Sequence, residues 1–190
     1  EARDGLLAHR GVRAQGDQLG FYTAAIGDTN NDGYDELLVA MGWGVDYAYL
    51  LPVTQTGLDI GAAVRIDPPP GRSGYGFGHG ISEGGDINGD GFNDFIIATD
   101  GGYACVYNGF EGGLPTIADK VLSLGNASNG NIVEVAIIGD INDDGYDDVA
   151  VNNKTPGPIN STQIFLYHGA ATGINAPTRT LEVYLNTEME

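Results

Sequence analysis

The sequence predicts an all-β protein assembled from repeated four-stranded sheets, and three observations carry that prediction. An acidic nine-residue segment occurs three times, each time running into a short apolar stretch: DTNNDGYDE at 28–36, DINGDGFND at 86–94 and DINDDGYDD at 140–148. The first aspartates lie 58 residues apart (86 minus 28) and then 54 apart (140 minus 86), a period that fits one four-stranded blade of a β-propeller. The chain also carries 31 glycines in 190 residues and little helical periodicity, which suits a turn-rich β protein.

Each acidic segment predicts a calcium loop. Positions 1, 3, 5 and 9 carry oxygen side chains in every copy: Asp28, Asn30, Asp32 and Glu36; Asp86, Asn88, Asp90 and Asp94; Asp140, Asn142, Asp144 and Asp148. Position 6 is always glycine (Gly33, Gly91, Gly145), which permits the positive φ of a turn that folds those oxygens inward. Two carboxylates about 4 Å apart repel by roughly 4 kcal/mol at an effective dielectric near 20, so converging three of them calls for a cation. An all-oxygen donor set selects Ca2+ over softer metals, with the position-7 carbonyls of Tyr34, Phe92 and Tyr146 as further ligands. An EF-hand is excluded, because its position 12 needs a bidentate glutamate and these loops have Val39, Ile97 and Val151 there. Apolar runs on both sides make each loop a connection between two strands.

The elements follow in register. Blade 1 is expected from strands at 20–27, 36–42, 47–53 and 62–66; blade 2 from 75–84, 94–99, 103–107 and 120–124; blade 3 from 131–139, 148–152, 163–168 and 179–185. A turn after the third strand of each blade recurs at Val53 to Leu58, Gly109 to Leu114 and Gly169 to Ile174. Residues 5–12 read as a spare outer strand without inner strands of its own. The domain expectation is therefore 1–18 as amino-terminal strand and linker, then blades at 19–70, 71–126 and 127–190, together one propeller segment.

With Leu19-Gly20 and Phe77-Gly78 standing nine and eight residues before their loops, the chain resembles the FG-GAP repeats of integrin α-subunit propellers and their bacterial relatives, over about residues 19–186. By that resemblance the calcium roles carry over, loop position by loop position, to the fifteen residues named above, giving three Ca2+ sites. The chain departs from the pattern at Asn131-Ile132, where Phe-Gly is expected. It departs again at the Gly-Ala-Pro position, which reads Ala40-Met41-Gly42, Ala98-Thr99-Asp100 and Asn152-Asn153-Lys154.

Three blades and one spare strand do not close a ring, since propellers use about four to eight blades and unpaired edges invite association. The expected completions are a longer propeller of which this is a part, head-to-tail association of copies by strand exchange, or a dimer closing a ring of six. The opening residue, Glu1, fits a processed or excised amino terminus.

Charge and composition exclude several functions. A net charge of −18 disfavours nucleic acid or an anionic membrane as partner. Three bound Ca2+ would bring it from −18 to −12. No apolar run approaches the roughly 20 residues that span a bilayer, so no membrane insertion is expected. Cys105 is the only cysteine, placed in a predicted strand, so the staple is metal and not disulfide. Weak calcium sites fill outside cells, which predicts an extracellular or cell-surface location. His9, His79 and His168 fall in different repeats without a nucleophile motif, and the stretch GRSGYGFGHG at 71–80 lacks the lysine and helix of a phosphate loop. No enzymatic activity is expected.

What remains is binding: adhesion or structural assembly, with a glycan-binding module or the non-catalytic part of a larger secreted enzyme as alternatives. Trp43, Tyr47 and Tyr49 are the candidate ligand contacts, by stacking on sugar or gripping a protein partner. The sequons at Asn126, Asn153 and Asn160 are candidate glycosylation sites, the second followed by Pro156.

Overall fold

A computed structural model describes residues 19–41, 46–72, 76–123, 133–155, 161–174, 176–177 and 179–184. The expected strand at 5–12 lies outside them.

Three antiparallel four-stranded sheets follow one another along the chain. Blade 1 comprises β1 (Leu19–Ala25), β2 (Leu37–Met41), β3 (Ala48–Leu51) and β6 (Val64–Ile66), with the small hairpin β4 (Val53–Thr54) and β5 (Gly57–Leu58) inserted before its last strand. Blade 2 comprises β7 (Gly80–Ile81), β8 (Phe95–Ala98), β9 (Tyr103–Tyr107) and β10 (Lys120–Ser123). Blade 3 comprises β11 (Val133–Gly139), β12 (Asp148–Thr155), β13 (Ser161–Tyr167) and β14 (Arg179–Tyr184). Each sheet is an up-and-down meander, and the first strands β1, β7 and β11 touch in turn along one side of the stack. The chain is thus all-β, in blades that form an incomplete propeller.

Blade 2 is the middle of the sandwich, and its sequence explains why. Every residue of β8 and β9 is buried, with alternate side chains serving opposite neighbours. Phe95, Ile97, Tyr103, Cys105 and Tyr107 pack with Ile26, Leu38, Leu50 and Ile66 of blade 1. Ile96, Ala98, Ala104 and Val106 pack with Val135, Val149, Val151 and Tyr167 of blade 3. A strand covered on both faces reads as a continuous apolar run, as Phe95-Ile96-Ile97-Ala98 does. Phe95 and Tyr107 stack with ring centroids 4.9 Å apart. Each such fully buried side chain stabilises the fold by about 1.5–3 kcal/mol.

Several strand ends differ from expectation, two of them for a reason visible in the structure. The inner strand of blade 2 is confined to Gly80–Ile81 instead of 75–84, because Gly76 (φ 65°) and Gly78 (φ 94°) turn the backbone just before it. That turn has a packing role: Phe77 is wholly buried, and a Cβ on Gly78 would stand 2.7 Å from Cβ of Ala40 in blade 1. Conversely, β12 runs on to Thr155 where a stop at Asn152 is expected, since β13 offers it a partner through Thr155↔Ser161. A 3-10 turn at Ile60–Ala62, capped by the Asp59 carboxylate, is an unforeseen addition.

Cys105 is buried, and burial pushes its thiol up to about 12. The folded chain is therefore expected to leave Cys105 unlabelled by a thiol reagent at pH 8 and to release one reactive thiol on denaturation. Rapid labelling of the native chain would contradict the packing of blade 2 on blade 1.

Candidate metal centres in three repeated loops

All three acidic segments adopt one conformation, built by side-chain acceptors turning the loop's own backbone amides inward. In the first loop Asp28 Oδ1 accepts from Asn30 N at 3.3 Å and Asp32 N at 3.2 Å, and Asp28 Oδ2 accepts from Gly33 N at 2.9 Å. Asp86 receives Gly89 N at 2.7 Å, Asp90 N at 3.0 Å and Gly91 N at 2.9 Å. Asp140 receives Asn142 N at 3.3 Å, Asp144 N at 3.1 Å and Gly145 N at 2.7 Å. Those amides, Gly145 foremost, hold the Asp140 carboxyl below the usual range.

The third and fifth positions repeat as closely. Oδ1 of Asn30, Asn88 and Asn142 each accepts from the position-5 amide at 2.9 Å. Oδ1 of Asp32, Asp90 and Asp144 accepts from Tyr34 N, Phe92 N and Tyr146 N at 3.0, 3.0 and 3.1 Å. Positions 1 and 3 thus share the position-5 N–H, which draws their oxygens together. In the second and third loops the asparagine amide also donates to the position-5 carboxylate, Asn88 Nδ2 to Asp90 Oδ2 at 2.8 Å and Asn142 Nδ2 to Asp144 Oδ2 at 3.0 Å.

Position 6 has the positive φ expected of it: 88° at Gly33, 89° at Gly91 and 91° at Gly145. Position 4 is left-handed as well, at Asn31 (φ 59°), Gly89 (φ 72°) and Asp143 (φ 60°). The signal for this second turn was present in the sequence, since Asn, Gly and Asp are the residues that enter that region most readily.

The ninth position behaves differently from the other acids. Glu36 is buried and accepts from Thr29 N at 2.8 Å and Thr29 Oγ1 at 2.6 Å. Asp94 accepts from Ile87 N and from Gly109 N, both at 2.9 Å; Asp148 accepts from Ile141 N at 3.1 Å and Gly169 N at 2.9 Å. His168 Nδ1 lies 3.1 Å from the same Asp148 carboxylate. Asp94 and Asp148 tie the second loop residue to the turn after the third strand, a role that sequence reasoning missed because Gly109 and Gly169 are distant in the chain. Burial pushes Asp94 up to about 7 against the pull of the Gly109 and Ile87 amides, and Asp90 and Asp86 add to the rise. Burial likewise raises Glu36.

Among the described residues no three His, Cys, Asp or Glu side chains are grouped closely enough to hold a metal ion by themselves. What each loop gathers is two carboxylates and an asparagine oxygen around shared amides, with the ninth carboxylate drawn toward backbone N–H groups. The donor chemistry still fits a hard divalent cation: every donor is oxygen, and Asp90 and Asp86 add their negative charge to the burial that raises the nearby carboxylate of Asp94.

The other candidates are more dispersed. Tyr49 is buried in β3 and meets Tyr47 edge-on at 5.6 Å, and the Arg65 guanidinium lies 3.8 Å over the Tyr47 ring. Packing within blade 1 accounts for both rings; Trp43 lies outside the described residues. Asn153 is buried in β12 with strands on both sides, where a glycan would have to displace the packing. Asn126 and Asn160 lie outside the described residues, as does His9. His79 lies 2.6 Å from Asp100 and close to Tyr22. No described helix is long and apolar enough to cross a membrane.

No family model matches the chain. Among known proteins it is similar to integrin alpha-PS3 of Drosophila melanogaster, 40% identical over 87 residues, which cover 42% of this chain and 8% of that protein. It is similar to integrin alpha-V of Gallus gallus at 26% identity over 176 residues, 85% of this chain and 16% of the relative. It is also similar to integrin alpha-6 of Homo sapiens at 34% identity over 110 residues, 51% and 9% respectively. The chain therefore spans no more than 16% of the length of these relatives. Three meandering blades, a recurrent acidic loop between the first two strands of each, and this set of relatives show a chain built of integrin α-like FG-GAP-type repeats.

Proposed function

We propose that the chain is a calcium-stabilised, extracellular, non-enzymatic binding module that serves adhesion or structural assembly. The carrying observation is the threefold recurrence of one loop conformation with only oxygen donors, in a chain similar to integrin α subunits. Asp28, Asn30 and Asp32 would hold the first ion, Asp86, Asn88 and Asp90 the second, and Asp140, Asn142 and Asp144 the third. The carbonyls of Tyr34, Phe92 and Tyr146 and the carboxylates of Glu36, Asp94 and Asp148 complete the sets. Bound Ca2+ supplies positive charge against clustered acids and pins the loop that joins two inner strands; it supplies no chemistry to a substrate.

Millimolar calcium outside cells suits sites of modest affinity, which supports an extracellular setting. The partners proposed are protein ligands or further propeller blades. Calorimetric titration with Ca2+ tests the reading: saturable binding of three ions is expected, falling to two in Asp90→Ala. A chain that takes up no calcium at millimolar concentration refutes it.

A further inference from the structure

Asn88, Asn108 and Asn129 are each followed directly by glycine. An asparagine in that setting loses its side-chain amide most readily, because glycine puts no Cβ in the way of ring closure and bends freely. Asn129 lies outside the described residues; the other two sit in opposite surroundings. Asn88 is half-buried and Gly89 exposed, at the third and fourth positions of the second acidic loop, so water reaches the bond. Gly109 is buried where blade 2 presses on blade 1. The other two acidic loops carry no such bond, since their third-position asparagines are followed by Asn31 and Asp143.

Deamidation at Asn88 requires Gly89 N to give up its proton to solvent and attack Asn88 Cγ. An N–Cγ bond forms, the Cγ–Nδ2 bond breaks, and the amide nitrogen leaves as ammonia. Water then opens the cyclic imide at one carbonyl or the other, leaving aspartate or isoaspartate. In the folded loop Gly89 N instead donates to Asp86 Oδ1 at 2.7 Å. The Asn88 carboxamide is held at both ends, its Oδ1 accepting from Asp90 N at 2.9 Å and its Nδ2 donating to Asp90 Oδ2 at 2.8 Å. The carboxylates of Asp86 and Asp90 also oppose the negative charge that builds on the attacking nitrogen. All these bonds lie within residues 86–90 at the surface, so a small opening of the loop releases them. Asn108 is held differently. Gly109 N donates to the buried Asp94 Oδ1 at 2.9 Å, and the next amide, Phe110 N, donates to Thr29 O of blade 1 at 2.9 Å. A Cβ on Gly109 would stand 2.5 Å from Asn93 O and 2.7 Å from Thr29 O, so backbone hems it in. Freeing it requires blades 1 and 2 to part.

We propose that Asn88 is a deamidation site of the folded chain, that Asp86 is the latch that sets its rate, and that the packing of blade 2 on blade 1 spares Asn108. The product alters the loop. Loss of Nδ2 replaces its hydrogen bond to Asp90 by one carboxylate facing another, and the loop gains a negative charge. The site and its latch hold whether or not the loops carry calcium.

Peptide mapping by mass spectrometry tests this on the full chain, incubated in excess chelator with and without denaturing urea. Each asparagine's rate in urea is its own reference. In the folded chain Asn88 is expected to react about tenfold more slowly than in urea, and Asn108 to be slowed by about a further tenfold or more. Asp86→Ala, shown to be folded by circular dichroism, is expected to raise the rate at Asn88 several-fold and leave that at Asn108 unmoved. An Asn88 that reacts as fast folded as in urea overturns the proposal, as does equal slowing of Asn88 and Asn108. A folded Asp86→Ala chain with the parental rate at Asn88 overturns it too. Should Asp86→Ala not fold, urea below the unfolding transition decides. A rate at Asn88 that stays flat while that at Asn108 climbs supports a local latch, and two rates climbing together overturn it.

Discussion

Removing calcium with a chelator is expected to lower the melting temperature of this chain by about 10 °C, and restoring it to return the original value. The size follows from mass action. A site with an affinity near 0.1 mM in roughly 1 mM calcium adds about 1.4 kcal/mol, so three independent sites add about 4 kcal/mol. A domain of this size shifts by about 2–4 °C per kcal/mol. The physical source is the charge packed into each loop: Asp86 and Asp90 stand near the buried Asp94 and push its pKa further up, so without a cation the folded state carries that repulsion. Circular dichroism melts in calcium and in excess chelator measure the effect directly. Equal melting temperatures in the two would remove calcium from the account of stability while leaving the blades as they are.

Gly84→Ala is expected to cost at least about 3 kcal/mol, a large effect for the smallest possible addition. Its Cβ would lie 1.8 Å from the carbonyl oxygen of Ile26 and 2.3 Å from the carbonyl carbon, so the backbones of blades 1 and 2 would have to separate. A flexible side chain could swing aside at little cost; a backbone carbonyl inside a packed interface does not. The neighbouring repeat supplies the comparison. Ile26→Ala, at a wholly buried position, should cost about 2–5 kcal/mol, whereas Ile138→Ala at the matching position of blade 3 should cost under about 1 kcal/mol because it is already 38% exposed. Urea unfolding of the three variants measures these differences. A Gly84→Ala chain as stable as the parent would mean that blades 1 and 2 do not approach as described.

Most of the architecture was legible because its signals are local. A nine-residue loop contains its own turn residues and acceptors, so reading DINGDGFND was enough to anticipate that β8 begins directly after it. The β9 strand could be placed at Tyr103–Tyr107 from its aromatic and aliphatic run alone. The inner strand of blade 2 was overestimated because Gly76 and Gly78 were treated as part of an extended run, although their positive φ serves the packing of Phe77 and the approach to Ala40. The ninth loop acid illustrates the same limit: by composition it belongs with the other ligands, yet its strongest visible partners are amides of the loop and of a turn two strands away.

Local chemistry therefore determined the repeat, its length and its acidic loops. Only the tertiary structure decided which copies of a repeated position are covered. Ile87 and Ile141 occupy the same place in nearly identical loops, and one is sealed while the other faces outward. The difference lies in the blade stacked against each. Burial and the pairing of backbone carbonyls are made between segments far apart in the chain, so no reading of either loop by itself contains them.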